Sequence, residues 1–295
     1  MSDFETDRRH AIVQVAALFD ALLQVPDGPE NRLVEAMRYT TLSDGKGFRP
    51  YLCYASAQLF NVDEAHAIRA AAAVEAVHCY SLVHDDLPSM DDDDMRRGKP
   101  SLHVAFDEAT AILAGDALLT LAFDILSDEA THKEAGKRID LMAALARAAG
   151  MRGMVGGQMI DLQSPQLALD AGGLTRLQKM KTGALIGFAV EAGAILGGAD
   201  EAERHALTGY AHDIGRAFQI ADDVLDVDAA SSDLGKTAGK DAEDGKVTFA
   251  SLLGQERARD QAGLLVEQAI AHLSIFGASA DSLRQAAEFV INRQN

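Results

Sequence analysis

Six carboxylates fall within ten residues of one short stretch of this chain. They belong to Asp85, Asp86 and the run 91–94, and Arg96 and Arg97 follow. Two like charges 4 Å apart repel by about 1 kcal/mol in water and by about 4 kcal/mol at the lower effective dielectric near a protein surface. Such a stretch needs either full solvation, as in a surface loop, or a bound cation.

A second acidic group in the other half of the chain favours the bound cation. Asp222 and Asp226 are four residues apart and so share one face of a helix, and Asp223 lies between them. Each group is predicted to end a long apolar helix, residues 63–87 and 200–227. Carboxylates at a helix C-terminus oppose the helix dipole, and a hard divalent cation with oxygen ligands would reverse that penalty.

The composition of the two acidic groups favours magnesium over zinc. No His/Cys ligand set accompanies the aspartates, as a zinc site would require. Mg²⁺ keeps several waters and is commonly held by one or two carboxylates together with substrate phosphates. If the two groups face each other across a helical bundle, they can share two or three Mg²⁺ ions, with Mn²⁺ as a substitute, and bind a diphosphate.

Basic side chains suited to phosphate lie outside the acidic groups. Taken singly, each is more simply explained as a solvated surface charge, and a lone histidine in a helix is more often a core or surface residue than a ligand. The segment Gly45-Lys46-Gly47 lacks the spacing of a P-loop. The set as a whole is what suggests an anion site. Its members are Lys46, Arg49, His78, Arg96, Arg97, Lys181, Lys236 and Lys246.

Composition and charge limit the class of protein. The chain has 295 residues, 48% of them hydrophobic, which predicts a soluble globular protein with a sizeable core. Its net charge of −18 argues against nucleic acid or an anionic membrane as the main partner. Cys53 and Cys79 lie in apolar helical segments and are predicted to be buried free thiols. Without a signal peptide or an apolar run of about 18 residues, we expect a cytoplasmic protein that does not span a membrane.

Almost every segment has helical periodicity, and the low proline and aromatic content favours helices over strands. The helix over 63–87 is apolar nearly all round, which places it at the centre of a bundle. Gly153, Gly156 and Gly157 predict a close helix approach or a kink. We therefore predict one all-α domain, residues 1–295, with about ten or more helices and a loop over 229–245. The other predicted helices are 13–24, 30–41, 50–60, 107–126, 139–162, 174–196, 249–276 with a possible break, and 279–291.

The order of these motifs resembles the short-chain trans-prenyl diphosphate synthases of the bacterial farnesyl diphosphate synthase type. The first aspartate-rich motif is Asp85-Asp86-Leu-Pro-Ser-Met-Asp91, followed by Arg96-Arg97-Gly98, and the second is Asp222-Asp223-Val-Leu-Asp226. Five further landmarks follow the family order between residues 41 and 253. They are 45–50, 157–161, 181–183, 218–219 and 234–236. The resemblance implies the isoprenoid synthase fold, a single-domain helical bundle around a deep central cavity.

The activity implied by the resemblance is a Mg²⁺-dependent prenyltransferase reaction. Isopentenyl diphosphate would condense head-to-tail (1′-4) with dimethylallyl and geranyl diphosphates, by ionisation, condensation and elimination, to give farnesyl diphosphate. A geranyl or geranylgeranyl diphosphate synthase is the nearest alternative. A non-catalytic subunit would be expected to lack one aspartate motif or the Lys46/Arg49 pair, and a terpene cyclase to be richer in aromatic residues. The family also implies a homodimer.

The resemblance assigns roles to residues. The metal ligands would be Asp85, Asp91 and Asp222, with Asp86, Asp161, Asp223 and Asp226 in or near the same shell. The allylic diphosphate would be held by Arg96, Lys181, Lys236 and Lys246, and isopentenyl diphosphate by Lys46, Arg49, His78 and Arg97. Thr182 and Gln219 would lie near the reacting carbons and complete the catalytic set with Lys181 and Arg96. Tyr80, five residues before the first aspartate, would close the floor of the pocket and set product length with Ser81.

Overall fold

The computed structural model describes residues 4–43, 45–167, 169–231 and 248–292, and most of them are helical. A π-helix, Lys179–Gly183, and a 3₁₀ segment, Leu273–Ala280, accompany the α-helices. The α-helices are α1 (Phe4–Leu22), α2 (Asn31–Thr41), α3 (Phe48–Gln58), α4 (Glu64–Asp85), α5 (Leu102–Ala105), α6 (Glu108–Ser127), α7 (Ala135–Ala149), α8 (Met154–Leu167), α9 (Ala171–Gln178), α10 (Ala184–Gly197), α11 (Glu201–Ser231), α12 (Phe249–Leu253), α13 (Gln255–His272) and α14 (Asp281–Asn292). The all-α prediction is confirmed.

Two short strands accompany the helices. Strands β1 (Met95–Arg96) and β2 (Lys99–Pro100) pair antiparallel, with Arg96 opposite Lys99. The two-residue loop between them, Arg97 and Gly98, has positive φ at both positions, as the tightest hairpin turns require. This hairpin follows the first acidic group directly.

Helix α4 occupies the centre of the bundle, as its uniformly apolar sequence predicts. The Asp63 carboxylate caps its N-terminus by accepting a hydrogen bond of 2.9 Å from the Ala65 amide. The helix packs against α1, α2, α3, α6, α7 and α10. Rows of alanine, including Ala70 to Ala73, are fully buried and let these neighbours approach closely. The closely packed neighbouring helices therefore hold the C-terminal end of α4 in place.

The buried apolar side chains form one continuous core from Val15 of α1 to Val290 of α14. At Gly193 of α10, an added Cβ would lie 2.4 Å from the Ala57 amide nitrogen, so this glycine is required for α10 to pack against α3. The core supports the interpretation of residues 1–295 as one domain, which stays a prediction.

Two predicted helices are interrupted in the structure. The predicted helix 139–162 is wrong as a single element, because α7 ends at Ala149 and α8 begins at Met154. At Gly153 a Cβ would lie 2.0 Å from the Ala148 carbonyl oxygen, which places this glycine at a sharp turn. The possible break predicted within the helix 249–276 lies at Gly254, where φ is +81°.

The second acidic group does not end its helix, contrary to the sequence analysis. Helix α11 continues through Asp222 and Asp226 to Ser231. The dipole argument therefore applies to the end of α4 and not to α11. The predicted loop 229–245 begins inside α11, and the rest of it lies outside the described residues.

By length and composition alone, three described stretches are apolar enough to cross a membrane. They are Glu108–Ser127, Ala171–Gly197 and Gln255–Asn292. The first is α6, which packs along α4, although only 39% of its most apolar window is buried. The expectation of a chain without a membrane span therefore stays a prediction.

Both cysteine thiols are buried in the core, as predicted, and burial raises the pKa of Cys53 to about 12 and also raises that of Cys79. Since the thiolate is the reactive form, we expect neither thiol of the folded chain to react with a chromogenic aromatic disulfide at mildly alkaline pH, and both to react in guanidinium chloride. A Ser127→Cys variant, with an exposed thiol, is the positive control. Rapid labelling of Cys53 or Cys79 in the native chain would contradict this packing.

Candidate active site

The first acidic motif forms a tight turn at the end of α4. The Asp91 amide donates to the Asp85 carbonyl at 2.8 Å, and the Asp93 amide donates to the Asp86 carbonyl at 3.3 Å. Asp92 between them has φ of +49°, a conformation that Asp tolerates better than most residues. The chain thus folds back and brings Asp91 beside Asp85.

Arg96 of the β-hairpin holds this turn in place. Its Nε donates to both carboxylate oxygens of Asp86, at 2.9 and 3.2 Å, and its Nη2 contacts Asp86 and Asp93. Asp86 is buried, and burial raises its pKa while the guanidinium opposes that shift. Bidentate arginine–carboxylate pairs are among the stronger charged contacts in proteins. Asp86 and Arg96 therefore bind each other in this structure.

Asp85 lies where a cation would be most stabilising. Burial raises the pKa of its carboxyl to about 6, the neighbouring Asp91 adds to that rise, and Lys181 opposes it. Two adjacent carboxylates, one largely buried, match the oxygen donors that Mg²⁺ prefers. In the part of the chain that the structure describes, no three His, Cys, Asp or Glu side chains gather into a complete metal cage. An ion held by Asp85 and Asp91 would leave its remaining positions to water or phosphate oxygens.

A cavity of about 800 Å³ beside α4 brings together all four residues predicted to hold isopentenyl diphosphate. One face of α4 contributes to it through Glu75, His78 and Leu82, spaced at helical intervals. The predicted residues on its wall are Lys46, Arg49, His78, Arg96, Arg97, Thr182 and Asp222. We name this space the cationic cavity.

The charges in the cationic cavity are arranged for an anion. Nη1 of Arg49 lies 3.3 Å from Nε2 of His78, and burial, followed by Arg49 and Arg97, lowers the pKa of His78 well below its usual value, so the imidazole is neutral. The Arg97 guanidinium lies 3.9 Å from the Glu75 carboxylate. Nε of Arg49 is buried without a hydrogen-bond partner among the described residues. A bound anion would satisfy this donor.

Two glycines shape the loop before α3. Gly47 has φ of +59°, and an added Cβ would lie 2.2 Å from Cγ1 of Ile12 in α1. At Gly45 a Cβ would lie 2.6 Å from Nη1 of Arg97. Glycine at 47 is therefore favoured both by its positive φ and by the close approach of α1, whereas at Gly45 the end of the Arg97 side chain would have to move.

A second cavity, of about 380 Å³, adjoins the first and is mostly apolar. The two cavities share Arg49, His78, Leu82 and Thr182. Asp85 and Lys181 lie on the second cavity, whereas Asp222 lies on the first. Its other walls are formed by Tyr80, Ser81, His84, Met90, Met154, Val155, Gln158, Met159, Leu162 and Leu185. We name this space the apolar cavity.

Tyr80 and Ser81 lie on the wall of the apolar cavity below Asp85. Tyr80 is buried, and its ring packs edge-on against His84 at a centroid distance of 5.3 Å. The Ser81 hydroxyl donates to the His78 carbonyl at 2.8 Å. The Tyr80 ring is thus fixed by packing, and the Ser81 hydroxyl is hydrogen-bonded within its own helix.

The π-helix places Lys181 on the apolar cavity and Thr182 on both cavities. Nζ of Lys181 lies 2.6 Å from the Asp161 carboxylate, and the Thr182 hydroxyl donates to Oε1 of Gln219 at 2.8 Å. A Cβ at Gly157 of α8 would lie 2.2 Å from the Lys181 backbone nitrogen. The predicted close helix approach at Gly157 is confirmed, and single π-turns of this kind are frequent at functional sites.

In the second acidic motif the structure separates Asp222 from Asp223. Asp222 faces the cationic cavity and interacts electrostatically with Arg49. Asp223 is buried and accepts hydrogen bonds from the Phe249 amide at 2.8 Å and from Gln178 and Gln219 at 3.3 Å. Asp226 belongs to α11, but its side chain, Lys236 and Lys246 lie outside the described residues.

Sequence reasoning missed several residues that line the cavities. Glu75 lies three residues before His78, so helical spacing could have identified it. Arg8 of α1 donates to the Lys46 carbonyl, and its guanidinium packs on the Phe289 ring at 5.4 Å. No local pattern indicates this role for Arg8, because its partners are distant in the sequence.

Gly157→Ala tests the packing that positions the π-helix. Although alanine favours a helix over glycine by about 1 kcal/mol, the new Cβ meets backbone, and overpacking of this kind costs about 1–3 kcal/mol. We expect a lower free energy of unfolding in urea. Gly263→Ala in α13, where a Cβ meets nothing within 4 Å, is the matched control and should be stabilised. Equal stabilisation of both variants would contradict the close contact.

The comparisons with known proteins agree with this geometry. Residues 30–286 match the polyprenyl synthetase family model. The chain is 45% identical to farnesyl diphosphate synthase of Escherichia coli over 88% of this chain and 89% of that one, and 46% identical to geranylgeranyl pyrophosphate synthase 11 of Arabidopsis thaliana over 88% and 74%. A crystal structure of an FPP/GFPP synthase from Zymomonas mobilis superposes with a TM-score of 0.89, at 49% identity and 98% coverage of both chains. This chain is therefore a member of the polyprenyl synthetase family, with the isoprenoid synthase fold.

Proposed function

We propose that this chain is a Mg²⁺-dependent prenyltransferase that condenses isopentenyl diphosphate with dimethylallyl and geranyl diphosphates to make farnesyl diphosphate. The observation that carries the proposal is the pair of adjoining cavities. One is cationic, the other is apolar, and the two aspartate motifs contribute one residue to each, Asp222 and Asp85. The names of the family relatives support prenyl chain elongation.

The cationic cavity is suited to the diphosphate of isopentenyl diphosphate. Lys46, Arg49 and Arg97 carry positive charge there, and the neutral His78 can donate or accept without adding to it. The buried Nε of Arg49 supplies a donor in a fixed position. Charge-assisted hydrogen bonds from such groups are the stronger ones in proteins.

The allylic substrate would lie with its diphosphate near Asp85 and its hydrocarbon chain in the apolar cavity. Lys181, and by family resemblance Arg96, Lys236 and Lys246, would hold this diphosphate, with Arg96 first having to exchange part of its contact with Asp86. Asp85, Asp91 and Asp222 would hold two or three Mg²⁺ ions, or Mn²⁺ as a substitute, with Asp86, Asp161, Asp223 and Asp226 in or near that shell. Bound Mg²⁺ supplies charge neutralisation for the leaving diphosphate.

The side chains would then stabilise the charge of the leaving diphosphate and position the reacting carbons. Lys181 stabilises the negative charge of the diphosphate as the allylic C–O bond breaks, the kind of electrostatic stabilisation that is usually the largest catalytic effect. Thr182, fixed by Gln219, lies at the junction of the cavities, where the isopentenyl double bond would attack the allylic cation. A proton then leaves the new cation, and the released diphosphate can take it up. The apolar walls exclude water, which would quench the cation.

Product length is set, in this proposal, by the depth of the apolar cavity. Tyr80 is buried and held against His84, so its ring limits how far a chain can extend below Asp85. A geranyl or geranylgeranyl product is the alternative, and the geranylgeranyl synthases and the FPP/GFPP synthase among the relatives make product size worth testing directly.

The apolar surface of α6 supports a homodimer, which family resemblance also implies. Less than half of the most apolar window of this helix is buried, and Ile112 and Leu113 are 44% and 58% exposed. Exposed apolar patches of this kind commonly mark protein–protein contacts.

We also propose that the chain works in the cytoplasm.

Turnover requires the metal-binding carboxylates if the proposal is correct. We expect purified protein with Mg²⁺, isopentenyl diphosphate and dimethylallyl diphosphate to form farnesyl diphosphate, and EDTA to abolish the reaction. Asp91→Asn should lower kcat/KM by roughly 10²-fold or more. Asp92→Asn is the control, because Asp92 is exposed and Asn tolerates its positive φ. Chromatographic sizing of the products is the measurement, and absence of product from the wild type would favour a non-catalytic subunit.

Tyr80→Ala should lengthen the product. Removing the ring opens the floor of the apolar cavity, so the variant is expected to release products longer than farnesyl diphosphate from the same substrates. Tyr39→Ala, which removes a ring outside both cavities, is the matched control and should keep the wild-type product. An unchanged product from Tyr80→Ala would place the floor elsewhere.

Leu113→Glu should dissociate the dimer. A carboxylate in an apolar interface is costly to bury unless it is paired, so sedimentation velocity should report a shift from dimer to monomer. Leu264→Glu on α13, at a site 53% exposed, should leave the dimer intact. A wild-type chain that sediments as a monomer at micromolar concentration would refute the dimer.

A further inference from the structure

A third cavity, of about 400 Å³, lies on the opposite side of the π-helix from the active site. Helices α7, α10 and α11 contribute most of its walls, and Lys179, Met180 and Gly183 of the π-helix complete it. None of its lining residues lines the cationic or the apolar cavity. Its volume is within the range of ordinary small-molecule sites.

The lining of this third cavity combines an apolar interior with a basic rim. Small and apolar residues, among them Ala184, Gly187 and Phe188, form the interior. Five cationic side chains and a single carboxylate line the cavity, although the whole chain carries a net charge of −18. The five are Arg147, Arg152, Lys179, Arg204 and Arg216.

Most of the rim charge is not neutralised within the described part of the chain. The one carboxylate, Glu191, lies 4.0 Å from Arg147. Arg204 donates to the Ala199 carbonyl. Among the described residues, no hydrogen bond or ion pair is found for the side chains of Arg152, Lys179 and Arg216. A ligand with an anionic head would be attracted to this rim while its chain filled the interior.

We propose that the third cavity binds an amphiphilic anion, an alkyl or isoprenoid chain with one phosphate or carboxylate head. The chain would displace water from the apolar interior between α10 and α11, and the head would pair with the rim cations. The active-site cations are not needed for this binding, because they line other cavities.

The π-helix connects this site to the active site. Lys179 and Gly183 face the third cavity, whereas Lys181 and Thr182 between them face the active-site cavities. A Cβ at Gly215 of α11 would lie 3.3 Å from the Cα of Gly183, so the π-helix is packed closely on that side. An occupant that shifts this packing changes the position of Lys181 and Thr182. This second step rests on the proposed function.

The chain offers a matched pair of variants for a test. A Cβ at Gly187 meets nothing within 4 Å, so Gly187→Leu projects a side chain into the third cavity without a backbone clash. Gly263→Leu adds the same side chain at an equally open position on α13, away from every cavity described above. Both replace a glycine inside a helix and should fold.

Isothermal titration calorimetry with n-decyl phosphate, in EDTA so that no Mg²⁺ is present, measures the binding. We expect saturable binding to the wild type and to Gly263→Leu, binding weakened by roughly ten-fold or more in Gly187→Leu, and none for n-decanol, which lacks the charge. Decanoate tests whether a carboxylate head suffices. Equal affinity in both glycine variants, or loss of binding only in Arg49→Ala, would place the probe elsewhere and overturn the proposal.

Steady-state kinetics test the connection. We expect n-decyl phosphate to change the kcat of the wild type and of Gly263→Leu, and to leave Gly187→Leu unaffected at the same concentration. Purely competitive inhibition that is equal in all three would overturn the connection through the π-helix. If the wild type shows no turnover at all, the proposed function fails, while the calorimetric result on the third cavity still stands.

Discussion

The main constraint on this structure is that several carboxylates lie close together and partly buried. A buried negative charge is costly unless it is hydrogen-bonded or paired, and the chain meets this requirement differently within each motif. Asp86 is paired with Arg96, Asp161 with Lys181, and Asp223 with the Phe249 amide and two glutamines. These contacts anchor the motifs to the bundle. Asp85 remains at the cavity wall, where burial raises the pKa of its carboxyl to about 6, so a cation bound there would favour the charged carboxylate.

The same bundle separates two chemical environments over a short distance. Helix α4 presents Glu75 to the cationic cavity, Tyr80, Ser81 and Asp85 to the apolar one, and His78 and Leu82 to both. Thr182 lies on both. A strongly acidic chain thereby builds a locally cationic cavity, because the fold concentrates a few cations from distant segments at one place. The arrangement suits a substrate that is an anion at one end and a hydrocarbon at the other.

Much of this could be predicted from the sequence, for identifiable reasons. Apolar periodicity was sufficient to predict the central position of α4. The grouping of Lys46, Arg49, His78 and Arg97 came from the resemblance to a family, and the fold brings these four residues to one cavity, while their role stays a prediction. The break after Ala149 and the extension of α11 to Ser231 were not predictable from periodicity, since glycine-rich turns and helix ends depend on tertiary packing. The pairing of Arg96 with Asp86, and the contact of Arg8 with the Lys46 carbonyl, depend on three-dimensional proximity that no spacing rule encodes.

The central claim is that Asp85 and Asp222, from motifs far apart in the chain, act on one metal-bound ligand. A double-mutant cycle tests it directly. The ligand is an unreactive allylic diphosphate analogue in which sulfur replaces the bridging oxygen. Calorimetry measures its Mg²⁺-dependent affinity for the wild type, Asp85→Asn, Asp222→Asn and the double variant. Shared ligation predicts losses that are non-additive by about 0.5–3 kcal/mol. Losses that add to within about 0.5 kcal/mol, or an affinity that does not depend on Mg²⁺, would contradict the account.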